Sequence, residues 1–271
     1  MTSTSDRYGR APANPDELPF VAPCRHVDRS APVRWLKLGW QDVTRAPRQS
    51  LSYGAFFVVV TYLIVLFMHQ LGEYFVLLGL LSGFIFLGPV LAIGMYSVSY
   101  QLQQGLSPRL GYCLREGRRH LSNEMLFAFM LLVVFLVWAR AASMVHVFFP
   151  VEAHPRWTEI LLFLGVGSAV GSIFAAIVFS ASAFSLPMMM DRKVDAVTAV
   201  VTSINAVLRN KQAMSVWALL VVATVALSFV TAFLGMVVLL PLLGHATWHA
   251  YQETVDASAW PVHEEDGQRA C

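Results

Sequence analysis

ILLFLGVGSAVGSIFAAIVFSASAFSL, residues 160–186, runs 27 residues without one charged side chain. As a helix rising 1.5 Å per residue it exceeds the roughly 30 Å hydrocarbon core of a bilayer. Similar stretches lie at 51–68, 74–98 and 213–243, all uncharged, and at 125–147, where Arg140 is the only ionised group. A membrane strand needs only about ten residues and alternates in polarity, which these runs do not. The chain therefore reads as all-α, a polytopic transmembrane helical bundle.

Composition says the same. Of 271 residues only 13% are charged while 56% are hydrophobic, about half the charge of an ordinary soluble domain. So few charges will not cover a water-soluble body, which argues against a soluble enzyme or a nucleic-acid partner, and the apolar content excludes disorder over most of the chain.

From Ala213 to Tyr251 the chain stays weakly polar for 39 residues, about 58 Å as one helix and too long for a single crossing. Gly235 and Pro241 weaken helix there, so a hairpin turning near Thr231–Gly235 is expected, with Trp217 and Trp248 at one interface. Six spans follow, at about 51–69, 74–98, 125–147, 160–186, 213–232 and 235–251; a single kinked helix at the end gives five. Sixteen of the 19 Lys and Arg residues fall in residues 1–50 and in the second and fourth loops. Those segments share one side, which the positive-inside rule makes cytoplasmic. The expected location is the bacterial cytoplasmic (inner) membrane, multi-pass, with the N-terminus inside.

Outside the spans, proline-rich residues 1–32 predict a flexible cytoplasmic tail and residues 253–271 an acidic flexible one, flanking a helical domain over 33–252. Amphipathic helices are expected at about 33–47, where Trp35 and Trp40 mix with basic residues, and at 192–209. In the second, Asp191 is placed to cap, and Val194, Val197, Val201, Ile204 and Leu208 form the apolar stripe. Small residues in the fourth span, Gly167, Gly171 and Ala175 beside Ser168, Ser172, Ala176 and Ser180, predict close packing within the chain, so that Gly171→Leu lowers folded yield. Cys24, Cys113 and Cys271 lack metal-type spacing and read as free thiols.

Chemistry is sparse. No span carries Asp, Glu or Lys at depth, which argues against ion-coupled transport. Arg140 lies about 24 Å along the third span from Glu124, near enough to the far boundary to snorkel, the alternative being a contact with a lipid phosphate or a partner carboxylate. His245 and His249, four apart on one helical face, are the weak candidates for a metal or haem site, although no Glu follows the first histidine as in HExxH. No nucleotide-binding or hydrolase signature occurs in a suitable context.

Three stretches together resemble a bacterial family of uncharacterised predicted integral membrane proteins (domain of unknown function 2189). They are Arg34–Asp42 leading to Ser50–Gly54; Leu186–Arg192 with Thr202, Ser203 and Asn210–Trp217; and Pro241–Tyr251. The resemblance implies a multi-span inner-membrane protein and transfers no catalytic residues. It makes Trp35, Gly39, Trp40, Asp42, Pro187, Asp191, His245, Trp248, His249 and Tyr251 the motif positions to test, with Arg140 added on its own account. The leading expectation is a non-enzymatic accessory or assembly protein without a cofactor, acting through membrane lipids, a membrane-protein partner or its own oligomer. The alternatives are a passive channel or small-solute exporter, and a haem- or metal-handling protein using His245 and His249.

Overall fold

The computed structural model describes residues 18–71, 92–109, 121–148 and 156–262. Among them it is helical, with α1 (Ala31–Arg45), α2 (Pro47–Leu71), α3 (92–103), α4 (Leu121–Phe148), α5 (Trp157–Ser182), α6 (Ser185–Asp191), α7 (Ala196–Arg209), α8 (Lys211–Val230) and α9 (Met236–Thr254). Four segments are long and apolar enough to cross a membrane: Pro47–Phe67, Ser122–Val145, Trp157–Asp191 and Lys211–Val230. Most of the expected span at 74–98 lies outside the described residues, and 92–98 form the start of α3.

The order of α1 follows from its pattern. Trp35, Gly39, Asp42 and Val43 are buried, a spacing of four, three and one that makes a single helical face. That face lies on α9, the most extensive helix pairing in the molecule. Gly39 is required there, because a Cβ would stand 2.8 Å from the Ala246 nitrogen and 2.9 Å from the Leu242 oxygen. Pro47 then opens α2, where its missing N–H has no helical acceptor to lose. Where α2 crosses α9, a Cβ on Gly54 would run into the Val237 carbonyl. The opposite side of α2 exposes Phe56, Val59, Leu63, Leu66 and Phe67, the surface a helix presents to lipid.

The long terminal stretch is two helices, turning where expected, but Pro241 lies inside α9 and only α8 is among the segments long and apolar enough to cross a membrane. The chain turns at 231–235, with Ala232 (φ 48°) and Phe233 (φ 65°) in the left-handed region. The Phe233 N–H donates to the Ser228 carbonyl at 2.6 Å, and Tyr62 of α2 donates to the Ala232 carbonyl at 2.6 Å. The flanking tryptophans are not interfacial. Trp217 and Trp248 are both buried, the first edge-on to Trp35 with ring centroids 5.7 Å apart and the second against Tyr100 and Tyr251.

Several expectations need correction. Residues 18–32 are not a free tail: Ala22 and Val27 are buried, and Cys24 and Val255 form an antiparallel bridge. Nor are the residues after 253 wholly free, since Trp260 is buried and Arg192 bridges to Val262. Residues 1–17 and 263–271 lie outside the described set. The helix expected at 192–209 starts at Ala196 and is capped by Asp195, which accepts from the Thr198 N–H at 2.9 Å; Asp191 ends α6 instead. The apolar stripe had left open whether it faces the inner leaflet or the bundle, and the hydroxyl side of α7 takes much of the buried face. Thr202 and Ser203 are fully buried whereas Val197 and Leu208 are exposed. Hydroxyl pairing makes this tolerable: Thr202 accepts from the Ala22 N–H, Ser203 accepts from the Phe184 N–H, and Ser203 donates to the Ser180 carbonyl. Finally, α5 has no buried residue, and among the described residues nothing lies within 4 Å of a Cβ placed on Gly165, Gly167 or Gly171. Gly171 and Ala175 instead line a cavity with Leu131, Val134, Phe135 and Trp138 of α4, so the stripe is loosely rather than closely packed.

Candidate functional site

The motif segment of α9 lies in the angle formed by α1, α2 and α3. Residues 245 and 249 share a helical face, and both turn inward. The ring of His245 is fully buried, with Nε2 2.9 Å from the Ser50 hydroxyl of α2 and Nδ1 2.7 Å from the Ser99 hydroxyl of α3. A neutral imidazole has one donor and one acceptor nitrogen, and a hydroxyl serves either, so both tautomers satisfy this pairing. One turn on, the His249 Nε2 meets Asp42 Oδ2 of α1 at 2.8 Å. Its Nδ1 lies 3.5 Å from the Gln103 amide nitrogen, which also donates to Gln252 at 2.9 Å, while the Gln103 oxygen accepts from the Trp248 indole at 3.1 Å. The polar face of α9 thus fastens α1, α2 and α3 to one helix.

Two further polar contacts flank this cluster. Tyr251 donates to Asp191 at 2.8 Å, and Asp191 also accepts from Arg192 at 3.1 Å, whose guanidinium reaches the Trp260 carbonyl. On the other side Glu253 takes the Trp35 indole N–H at 2.8 Å and pairs with Arg34. The Glu253 carboxylate, together with hydrogen bonding and charge, raises the Arg34 guanidinium above its ordinary value.

Most motif positions therefore meet at one place. Trp35, Gly39, Asp42, His245, Trp248 and His249 form it, with Tyr251 and Asp191 at its edge. Pro187 is buried in the first turn of α6, where its missing N–H would have no intrahelical acceptor. Trp40 is half exposed on the far face of α1, and Arg140 is exposed on α4, on its own helix rather than in the cluster. For a metal or haem, the geometry offers little: both His245 nitrogens already face hydroxyls, and the described residues contain no group of three or more His, Cys, Asp or Glu arranged to hold a metal.

Sequence reasoning missed the hydroxyls that complete the cluster. Ser50 and Ser99 lie 195 and 146 residues from His245; Ser50 opened one of the family-like stretches but was given no role, and Ser99 had no signal beyond a polar residue beside an apolar run. Asn210, the first residue of the family-like stretch Asn210–Trp217, was likewise given no role. That side-chain oxygen accepts from the Val27 N–H and faces His26 Nδ1, both at 2.9 Å, and its nitrogen donates to the Arg25 and Ala206 carbonyls. An amide has four such places and here all four are filled. Glu124, read as a boundary marker, is fully buried in the first turn of α4, and neither carboxyl oxygen has a hydrogen-bond partner among the described residues.

Residues 76–191 match the family described as predicted integral membrane protein (DUF2189). That match covers the apolar heart of the chain, from the second predicted span to the end of α6, and agrees with the membrane-type helices found there. No curated protein and no solved structure matches the chain.

Proposed function

We propose that this integral membrane protein is a non-enzymatic accessory factor, working through contact with a second membrane protein rather than through turnover or passage of a solute. The observation that carries this reading is the closure of the α9 cluster. His245, Ser50 and Ser99 are buried together, and each ring nitrogen is matched by a hydroxyl of the same chain. Such a cluster holds helices in place and offers a substrate no open face. What the described part of the molecule leaves open is the Ser168, Ser172 and Ala176 side of α5, which is exposed and where the Ser172 hydroxyl returns to its own helix at 2.7 Å. Small faces of this kind allow another helix to come close in a bilayer. The distribution of basic residues supports the cytoplasmic membrane of a bacterium, with the N-terminal side facing the cytoplasm.

The test is in-membrane photocrosslinking from position 172, with position 133 on the lipid side of α4 as reference. The expected result is one reproducible protein adduct, another membrane protein or a second copy of this chain, seen from 172 and absent from 133. Adducts to lipid alone, together with solute flux in proteoliposomes that depends on the protein, would replace this reading with the channel alternative.

A further inference from the structure

Where α7 ends and α8 begins, the N-terminal strap passes close by and leaves a cavity of about 510 Å³, a volume typical of small-molecule sites. Its wall includes His26, Asp28 and Arg29 from the strap, and Leu208, Arg209 and Lys211 from the helix junction. We propose that this cavity binds the phosphate headgroup of an anionic phospholipid. It is independent of the accessory reading, because it concerns lipid held by the isolated chain.

The charges favour an anion. Arg29, Arg209 and Lys211 bring three cations to the wall against one carboxylate. That carboxylate, Asp28, is already engaged, accepting from the Ser30 N–H at 2.8 Å and the Ser30 hydroxyl at 2.7 Å, with Arg34 at 3.7 Å. Arg29 is held in place through its Nε, which donates to Gln212 at 2.7 Å, so its terminal nitrogens keep their donors for a ligand.

The start of α8 adds to the same preference. Asn210 stands at the N-cap but makes no side-chain capping bond, because its amide is wholly engaged by the strap and Ala206. The first N–H groups of α8 therefore lack the usual side-chain acceptor. An anion beside Lys211, Gln212 and Ala213 supplies one.

Position selects a lipid over a free phosphate. Lys211 is the first residue of a segment apolar enough to cross a membrane, so the cavity lies where that segment would enter the headgroup layer. Leu208 is 56% exposed at its rim and Leu219 is 67% exposed further along α8. About 12 Å of helix separates Lys211 from Leu219, the offset between a headgroup and the upper part of its acyl chains. An anchored lipid satisfies both the cations and this apolar rim, whereas a soluble phosphate satisfies only the cations.

The full-length protein in a phosphate-free, detergent-containing buffer is titrated with phosphatidylglycerol, phosphatidylcholine or inorganic phosphate, and thermal unfolding is followed. Phosphatidylglycerol should raise the melting temperature at concentrations where phosphatidylcholine does not. Arg29→Ala and Lys211→Gln, both at exposed positions, should each raise the half-saturating lipid concentration about fivefold, the effect of one basic residue near an anionic surface. Arg156→Gln, on another helix end, should leave it unchanged. Equal responses to the two lipids, or unaltered titrations for both cavity variants, would overturn the proposal. Inorganic phosphate acting at the same concentration as the lipid would assign the cavity to a soluble anion and overturn it as well.

Discussion

Ser99 shows how much a single buried hydroxyl does in this molecule. It sits fully buried 2.7 Å from Nδ1 of a fully buried imidazole. Ser99→Ala leaves that nitrogen without a partner, and a buried polar group so orphaned costs about 1–3 kcal/mol. Ser52→Ala is the matched control, because Ser52 is exposed and bonds only the carbonyl of Gln49; its effect should stay within about 0.5 kcal/mol. Reversible unfolding in mixed micelles measures both, and equal effects would show that the His245 pairing contributes nothing. The same contrast explains what the sequence made legible at this scale. Four-residue spacing marked His245 and His249 as a pair, since a helix repeats locally. Ser50, Ser99 and Asp42 were brought to them by tertiary packing, and no spacing rule reaches across that separation.

Elements divide in the same way. The turn at 231–235 was readable because Gly235 and the excess length are local facts, and four of the six expected spans were readable because hydrocarbon tolerates no charge. Choosing which face of a helix packs needs knowledge of the neighbours. On α7 the valine stripe left open whether it faces the bundle or the inner leaflet, and Thr202 and Ser203 are buried through bonds to the strap and to α5 and its following turn. On α5 the glycine stripe promised tight packing, whereas the close approaches occur on α9, against Gly39 and Gly54. This reverses the expectation for Gly171→Leu. A Cβ there meets no described atom within 4 Å, and the rest of a leucine would enter the cavity that Gly171 lines with Leu131, Val134, Phe135 and Trp138 of α4, so that substitution should leave folded yield and melting unchanged. Gly54→Ala should lose the fold or cost several kcal/mol, because the new methyl meets the Val237 backbone rather than a side chain that can turn away. Size-exclusion profiles in detergent separate the two outcomes, and a comparable loss from both variants would place a packing partner on α5.

At the scale of the whole molecule, the described segments before α1 and after α9 close on each other. The Arg25 N–H donates to the Thr254 carbonyl and the Asp256 N–H to the Pro23 carbonyl, both at 2.8 Å, so residues before α1 and after α9 form one seam over the α7–α8 junction. Proline content and sparse apolar residues suggested free tails; a few buried anchors, Ala22, Val27 and Trp260, were enough to order them. The seam also carries a charge. Asp256 lies 3.3 Å from Arg25, and hydrogen bonding from Ser258, helped by Arg25 and opposed by partial burial, holds its carboxyl below the usual carboxylate range. A depressed folded value means that the ionised form favours the closed seam. That stabilisation is complete above the ordinary aspartate value of about 4 and disappears as pH falls through the folded value. Asp256→Asn should therefore melt below the parent protein at pH 7, and the gap should narrow to nothing as the solution is acidified past that range. Because both partners are partly solvated the gap will be modest. Its pH dependence is the diagnostic, and a gap that persists unchanged in acid would assign the loss to packing at the seam rather than to the carboxylate.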